Sequence, residues 1–128
     1  MTFAYLDSSA FVKTILEEPE SSLLERWLES RPDRASSALL RTEAIRAVRD
    51  DGPAAIVKAR TALRTIRLIE IDGRLLDAAG DLAVAVRSLE AIHLAAAPSL
   101  GPDLGSVLTY DTRMQAAADQ LGLEVVAP

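Results

Sequence analysis

Ala4-Tyr5-Leu6-Asp7-Ser8-Ser9 reads as a short apolar strand that runs straight into an aspartate and two hydroxyls. The strand begins at Phe3, and Ser8 or Ser9 stands where a helix N-cap is wanted ahead of Phe11, Val12, Ile15 and Leu16. Val107-Leu108-Thr109-Tyr110-Asp111-Thr112 repeats the arrangement near the other end, with Met114, Ala117, Ala118 and Leu121 as the apolar stripe of the helix that follows. In an open α/β sheet ligands gather outside the carboxyl ends of parallel strands, so two strands ending in Asp bring both carboxylates to one rim.

Between these ends, strands and helices alternate. Residues 20–30 form a helical stripe through Leu23, Leu24, Trp27 and Leu28, and 34–37 a weaker strand. A helix over 39–49 turns Leu40, Glu43, Ala44 and Ala47 to one side, and Pro53 suits the first turn of the next, 54–63. A third strand is expected over 67–71. It leads through Asp72-Gly73 into a helix carrying Leu75, Leu76, Ala79, Leu82, Ala83 and Val86 at the helical period. Ser88 is placed to cap a helix over 89–97, Ser99 to Gly105 reads as a turn-rich link, 106–109 as strand four and 124–126 as strand five. Short connections and the lack of sustained period-two patterning predict a three-layer α/β/α single domain over 1–128, its central parallel sheet having four to five strands.

Composition narrows the function. A chain of 128 residues with 49% apolar content and no cysteine suits one soluble globular core. It has no basic leader ahead of an apolar stretch and no apolar run of bilayer length, so a cytoplasmic protein without membrane association is expected. A net charge of −5 argues against nucleic-acid binding through a broad cationic surface and leaves room only for a local basic rim.

Nineteen Asp and Glu are mostly solvated charge, but Asp7, Glu43, Glu90 and Asp111 fall at strand-to-helix junctions. Singly, Asp7 and Asp111 are satisfied as helix caps and Glu90 as a first-turn partner of the helix dipole, roles worth about 1 kcal/mol each. Together they ask for more. Four carboxylates about 6 Å apart repel by roughly 15 kcal/mol at an effective dielectric near 20. A divalent cation relieves that repulsion, and an all-oxygen donor set without His or Cys suits Mg²⁺ or Mn²⁺. Such ions orient a phosphodiester, activate a water and stabilise the leaving oxygen, which makes phosphodiester hydrolysis the natural chemistry.

Tyr5-Leu6-Asp7-Ser8-Ser9-Ala10, Thr42-Glu43-Ala44, Arg87-Ser88-Leu89-Glu90-Ala91-Ile92-His93-Leu94-Ala95 and Thr109-Tyr110-Asp111, in that order and spacing, resemble the PIN-domain family over nearly the whole chain. The resemblance is to VapC-type toxins of type II toxin-antitoxin pairs and extends to the ending Leu121-Gly122-Leu123-Glu124-Val125-Val126. It implies a Mg²⁺-dependent endoribonuclease, a homodimer, and inhibition by a small VapB-like antitoxin whose tail covers the site. Asp7, Glu43 and Asp111 match the family's acidic positions, with Ser8 and Thr109 as supporting hydroxyls. Glu90 departs from the pattern, which has Asp there. Its carboxylate sits one methylene further out, where Mg²⁺ geometry is altered or Mn²⁺ favoured.

Lys13, Arg41, Arg46, Arg49, Arg87 and Arg113 lie within a few residues of the four acids and are candidate contacts for flanking RNA phosphates. The acidic chain points to a small structured RNA or exposed loop as substrate, a tRNA by family analogy. His93 reads as a buried or hydrogen-bonding histidine rather than a metal ligand, and Trp27 as packing rather than a base-stacking platform. Two other readings are weighed. An aspartyl-phosphate phosphatase needs a second Asp where Ser9 stands. A catalytically weakened PIN domain, serving as a partner-binding module, would follow if Glu90 spoils the site.

Overall fold

The computed structural model describes residues 2–128. Strands β1 (Phe3–Leu6), β2 (Arg34–Ser37), β3 (Arg67–Ile69), β4 (Leu104–Leu108) and β5 (Val125–Val126) form one sheet in the order β3-β2-β1-β4-β5, every pairing parallel. Seven helices are interspersed among them: α1 (Ser8–Ile15), α2 (Ser21–Glu29), α3 (Leu40–Val48), α4 (Pro53–Leu63), α5 (Gly73–Gly80), α6 (Ser88–Ala96) and α7 (Thr112–Gln120). From β1 the chain steps outward to β2 and β3, then returns to the other side of β1 for β4 and β5. The switch point of the sheet therefore lies between β1 and β4, the two strands that run toward Asp7 and Asp111.

Alternation along β1 divides the core between two faces. Ala4 and Leu6 pack with Ala10 of α1 and Leu24 and Leu28 of α2, while Tyr5 packs with Leu75 of α5 and Ala96 of α6. Phe11 and Ile15 on the outer side of α1 meet Leu40, Ala44 and Val48 of α3 and Ala59 and Leu63 of α4. Trp27 is half-buried beside the Leu24 and Leu28 cluster with the Arg31 guanidinium 3.9 Å from its ring centroid, the packing role expected of it.

Most elements stand where periodicity puts them, and the differences have local causes. The helix expected to run on to Val86 stops at Gly80, with Asp81 at its C-cap. Glycine is a poor helix residue, and Leu82, Val84 and Val86 are half-buried while Asp81, Ala83, Ala85 and Arg87 are exposed, a period-two pattern that β-branched residues favour in extended chain. These three pack against Leu94 of α6 and Met114 of α7. Helix α1 is capped by Asp7 rather than by a serine, and α6 by Arg87, which makes Ser88 its first residue. The link expected over 99–105 is a 3-10 segment, Ala97–Asp103, and β4 starts two residues early.

Helix α7 ends in a Schellman turn. Gly122, at φ 76°, donates to Asp119 O at 3.0 Å, and Leu123 donates to Ala118 O at 3.0 Å, after which the chain enters β5. A side chain is strained in that left-handed conformation. Gly122→Ala is expected to cost about 1–2 kcal/mol of stability, read from the urea midpoint at unchanged slope. No helix among the described residues is long and apolar enough to cross a membrane.

Candidate active site

The carboxyl ends of β1 and β4 are stitched together by two hydroxyls. Thr109 Oγ1 donates to Asp7 Oδ2 at 2.5 Å and accepts from the Asp111 amide at 3.1 Å. Ser9 Oγ donates to Asp7 Oδ1 at 2.6 Å and accepts from the Tyr110 amide at 2.9 Å. The register Leu6↔Leu108 sets both bridges, because it leaves the residues that follow the two strands side by side. Thr109, expected as a supporting hydroxyl, is thus placed between Asp7 and the Asp111 amide. At the other bridge the hydroxyl is that of Ser9, not Ser8: Ser9 is placed to bond back to an Asx cap two residues earlier.

Asp7 and Asp111 also cap their helices. Asp7 Oδ1 accepts from the Ala10 amide at 3.0 Å, and Asp111 Oδ1 from the Arg113 and Met114 amides at 2.9 and 3.0 Å. Their surroundings differ sharply. Asp7 is buried at 4% exposure and ion-pairs with no cation among the described residues, whereas Asp111 is exposed. Burial raises the Asp7 carboxyl above its ordinary range, against the opposing pull of the Ser9, Thr109 and Ala10 donors and the nearby His93. A buried carboxyl with hydroxyl and amide donors but no ion-pair partner is one whose ionised form a bound cation would stabilise.

Glu90 and Asp111 line one depression with Arg87, Thr112 and Arg113; a second, adjoining depression shares Tyr110 and Asp111 and is lined by Ser8, Ser9 and Lys13. Glu90 sits at the third position of α6, where its Oε1 accepts from the Arg87 amide at 2.9 Å. Glu43, on α3, is held differently. Its Oε1 is 2.6 Å from Nε2 of His93, whose Nδ1 is 2.7 Å from the Tyr5 hydroxyl. His93 is buried and hydrogen-bonded at both nitrogens, as the reading of α6 anticipates. Tyr5 was not anticipated: a tyrosine inside an apolar strand reads as core, and the signal is that a buried phenol needs a polar partner. Burial pushes its pKa well above the ordinary tyrosine value, so it remains a neutral phenol.

The four expected acids are therefore distributed as a buried Asp7, an exposed Asp111 bridged to it, a Glu90 in the same depression as Asp111, and a Glu43 bonded to His93. They do not form a ready-made cage. Among the described residues no three His, Cys, Asp or Glu side chains converge as metal ligands. The donor chemistry, carboxylates and hydroxyls around an uncompensated buried charge, fits a hard divalent cation. Of the expected phosphate contacts, Arg87 and Arg113 flank the Glu90 and Asp111 depression, and Arg46 is exposed on α3. Lys13 is engaged by Glu20 at 2.8 Å and Glu18 at 3.6 Å, and lies 4.8 Å from the Tyr110 ring centroid.

Strand-end acids at the switch point of a five-stranded parallel sheet define a class. The family model of the PIN domain matches residues 4–120, and the chain belongs to the PIN domain family. It is 50% identical over 129 residues to Ribonuclease VapC46 of Mycobacterium tuberculosis, an alignment spanning 100% of this chain and 99% of that protein. It is 40% identical to Ribonuclease VapC35 of the same organism, over 97% of this chain and 96% of that one. Two solved structures share the fold. Mycobacterium tuberculosis VapC20, a Sarcin-Ricin loop cleaving toxin, superposes with a TM-score of 0.76 at 17% identity, covering 98% and 99% of the two chains. A toxin-antitoxin complex from Klebsiella pneumoniae gives 0.75 at 22% identity, covering 98% and 97%.

Proposed function

We propose that this protein is a divalent-metal-dependent endoribonuclease that hydrolyses RNA phosphodiester bonds as the toxin of a toxin-antitoxin pair. The observation that carries this reading is the uncompensated Asp7 carboxylate, tied through Thr109 to Asp111 at the switch point, in a chain half identical to a VapC ribonuclease. Asp7, Glu43, Glu90 and Asp111 hold the ion, Mg²⁺ in the cell with Mn²⁺ as a substitute. When bound, the ion supplies an activated water and offsets charge on the scissile phosphate. Ser9 and Thr109 fix the Asp7 rotamer, and Arg87 and Arg113 hold phosphates flanking the cleaved bond, with Arg46 and, on leaving Glu20, Lys13 further along the strand. The two hydroxyl bridges support the assignment because each orients Asp7 and locks the β4 end at the same time.

The acidic chain favours a compact RNA presenting an exposed loop, and a tRNA is the first substrate to test. The protein acts in the cytoplasm as a homodimer and is silenced by a VapB-like antitoxin that covers the Glu90 and Asp111 depression. Purified protein with Mg²⁺ or Mn²⁺ is expected to cleave RNA, and a chelator or Asp7→Asn to stop it. Equal cleavage in all three conditions would sink the nuclease assignment. If cleavage is absent while antitoxin binding persists, the weakened, partner-binding reading takes its place.

Glu90 is the residue that departs from the family's Asp. Its arm is long enough to reach back to the Arg87 amide, so part of its capacity is spent on the helix start. Glu90→Asp is expected to raise cleavage in Mg²⁺ several-fold and to raise it less in Mn²⁺, whose coordination is more tolerant. Initial rates in the two metals, measured on one RNA, check this; a loss of Mg²⁺ activity would show that the longer arm already suits the ion.

A further inference from the structure

Three side chains link β1 to α3 by way of α6. Tyr5, fully buried on β1, places its hydroxyl 2.7 Å from His93 Nδ1, and its ring meets the imidazole edge-on at 77°. His93, 2% exposed on α6, places Nε2 2.6 Å from Glu43 Oε1. An ionised carboxylate only accepts, and two acceptors do not stand that close without a proton between them, so the His93 proton lies on Nε2. In the neutral imidazole Nδ1 is then an acceptor and the Tyr5 hydroxyl donates to it. Glu43 thus selects the tautomer, and the Tyr5 hydroxyl, as donor to Nδ1, holds the ring in it.

Glu43 spends one oxygen on this bond. Ser36 Oγ is the one buried side-chain polar atom among the described residues without a hydrogen bond, so Glu43 Oε2, which has none either, reaches solvent. A buried histidine needs a partner at each ring nitrogen, and His93 has both. Its Nε2 bond ends on a half-buried carboxylate that the reading above places in the ion-holding set, and hydrogen-bonded outer partners are what orient such carboxylates.

We infer that His93 is a positioning residue: through Nε2 it holds one oxygen of Glu43 so that the other stays free for the divalent cation, with Tyr5 holding the imidazole in turn. The inference rests on the metal-dependent reading proposed above. Its test uses Mn²⁺ alone as the probe, titrated calorimetrically into the full chain and into Tyr5→Phe, His93→Gln and His93→Ala, with unfolding temperatures measured in parallel. Mn²⁺ affinity is expected to fall about 10–100-fold in His93→Ala. Tyr5→Phe, which keeps the ring in place, is expected to show a smaller loss. His93→Gln, whose amide N–H reaches toward Glu43, is expected to recover part of the affinity, and these two variants carry the test if His93→Ala does not fold. Nitrogen NMR of the metal-free protein is expected to show the proton of His93 on Nε2.

A shared drop in unfolding temperature with unchanged Mn²⁺ affinity overturns the inference, and so does a proton found on Nδ1 alone. A wild-type chain that binds no Mn²⁺ overturns the metal-dependent reading itself and the inference with it. That result is distinct from equal binding by wild type and variants, which removes the inference and leaves the reading standing.

Discussion

Asp7→Asn is expected to lower metal-supported RNA cleavage by at least about 100-fold, beyond the range typical of losing an outer partner of a metal ligand, and to raise the thermal stability of the same protein. The two effects have one origin. Burial holds the Asp7 carboxyl above its unfolded value, so its contribution to stability is fully present below the unfolded pKa and is lost as the pH rises through the folded one. Once ionised, Asp7 is a buried charge that no cation balances among the described residues. Asparagine has the same shape and no charge. Its Oδ1 keeps the Ser9 and Ala10 donors, and its Nδ2 donates to Thr109 Oγ1 in place of the bond that Asp7 accepts. A gain of a few degrees in Tm is expected in metal-free buffer above the folded-state pKa of Asp7, the size that roughly 1 kcal/mol produces in a domain of this length. Calorimetry at a series of pH values should show the gap closing as the pH falls through the folded-state pKa of Asp7. A variant less stable than wild type above that pKa would mean that the hydrogen bonds outweigh the desolvation of the charge.

Asp111 separates cap from chemistry. Asn caps a helix about as well as Asp, so Asp111→Asn should retain the acceptor for the Arg113 and Met114 amides and shift stability by only a few tenths of a kcal/mol. Cleavage should nonetheless fall by about 100-fold or more, because a neutral amide is a poor ligand for a hard divalent ion. Asp111→Ala should lose both functions, adding about 1 kcal/mol of destabilisation to a comparable loss of activity. The comparison is made from urea midpoints alongside single-turnover cleavage. If Asp111→Asn cleaves RNA at the wild-type rate, Asp111 is a cap and nothing more.

The strand-to-helix alternation was legible because each short apolar run here meets a capping or turn residue at once, whereas the order β3-β2-β1-β4-β5 is visible only in the structure. The end of α5 was not legible either, because the residues from Leu82 to Val86 satisfy two periods. Leu82, Ala83 and Val86 continue a helical stripe, while Leu82, Val84 and Val86 alternate, and Gly80 decides in favour of the second. At the candidate site, the positions of Asp7 and Asp111 could be read because strand ends are where such sheets present their ligands. The bond between Glu43 and His93 spans 50 residues of sequence, and no local rule pairs them. Ser8 and Ser9 are equivalent as letters; the bond back from Ser9 Oγ to Asp7 and the approach of the β4 end, which brings the Tyr110 amide to the same hydroxyl, separate them.

Thr109 and Asp7 are 102 residues apart in the chain, and β4 is the strand that β1 needs on its second side. During synthesis the first three strands emerge long before β4, so Asp7 waits at an open sheet edge with half of its hydroxyl support still to be made. If Asp111 holds the ion as proposed, a chain ending before β4 should not cleave RNA, since neither Thr109 nor Asp111 is present. On the proposed assignment, this order of assembly keeps the two halves of the site apart until β4 and the residues that follow it have been made.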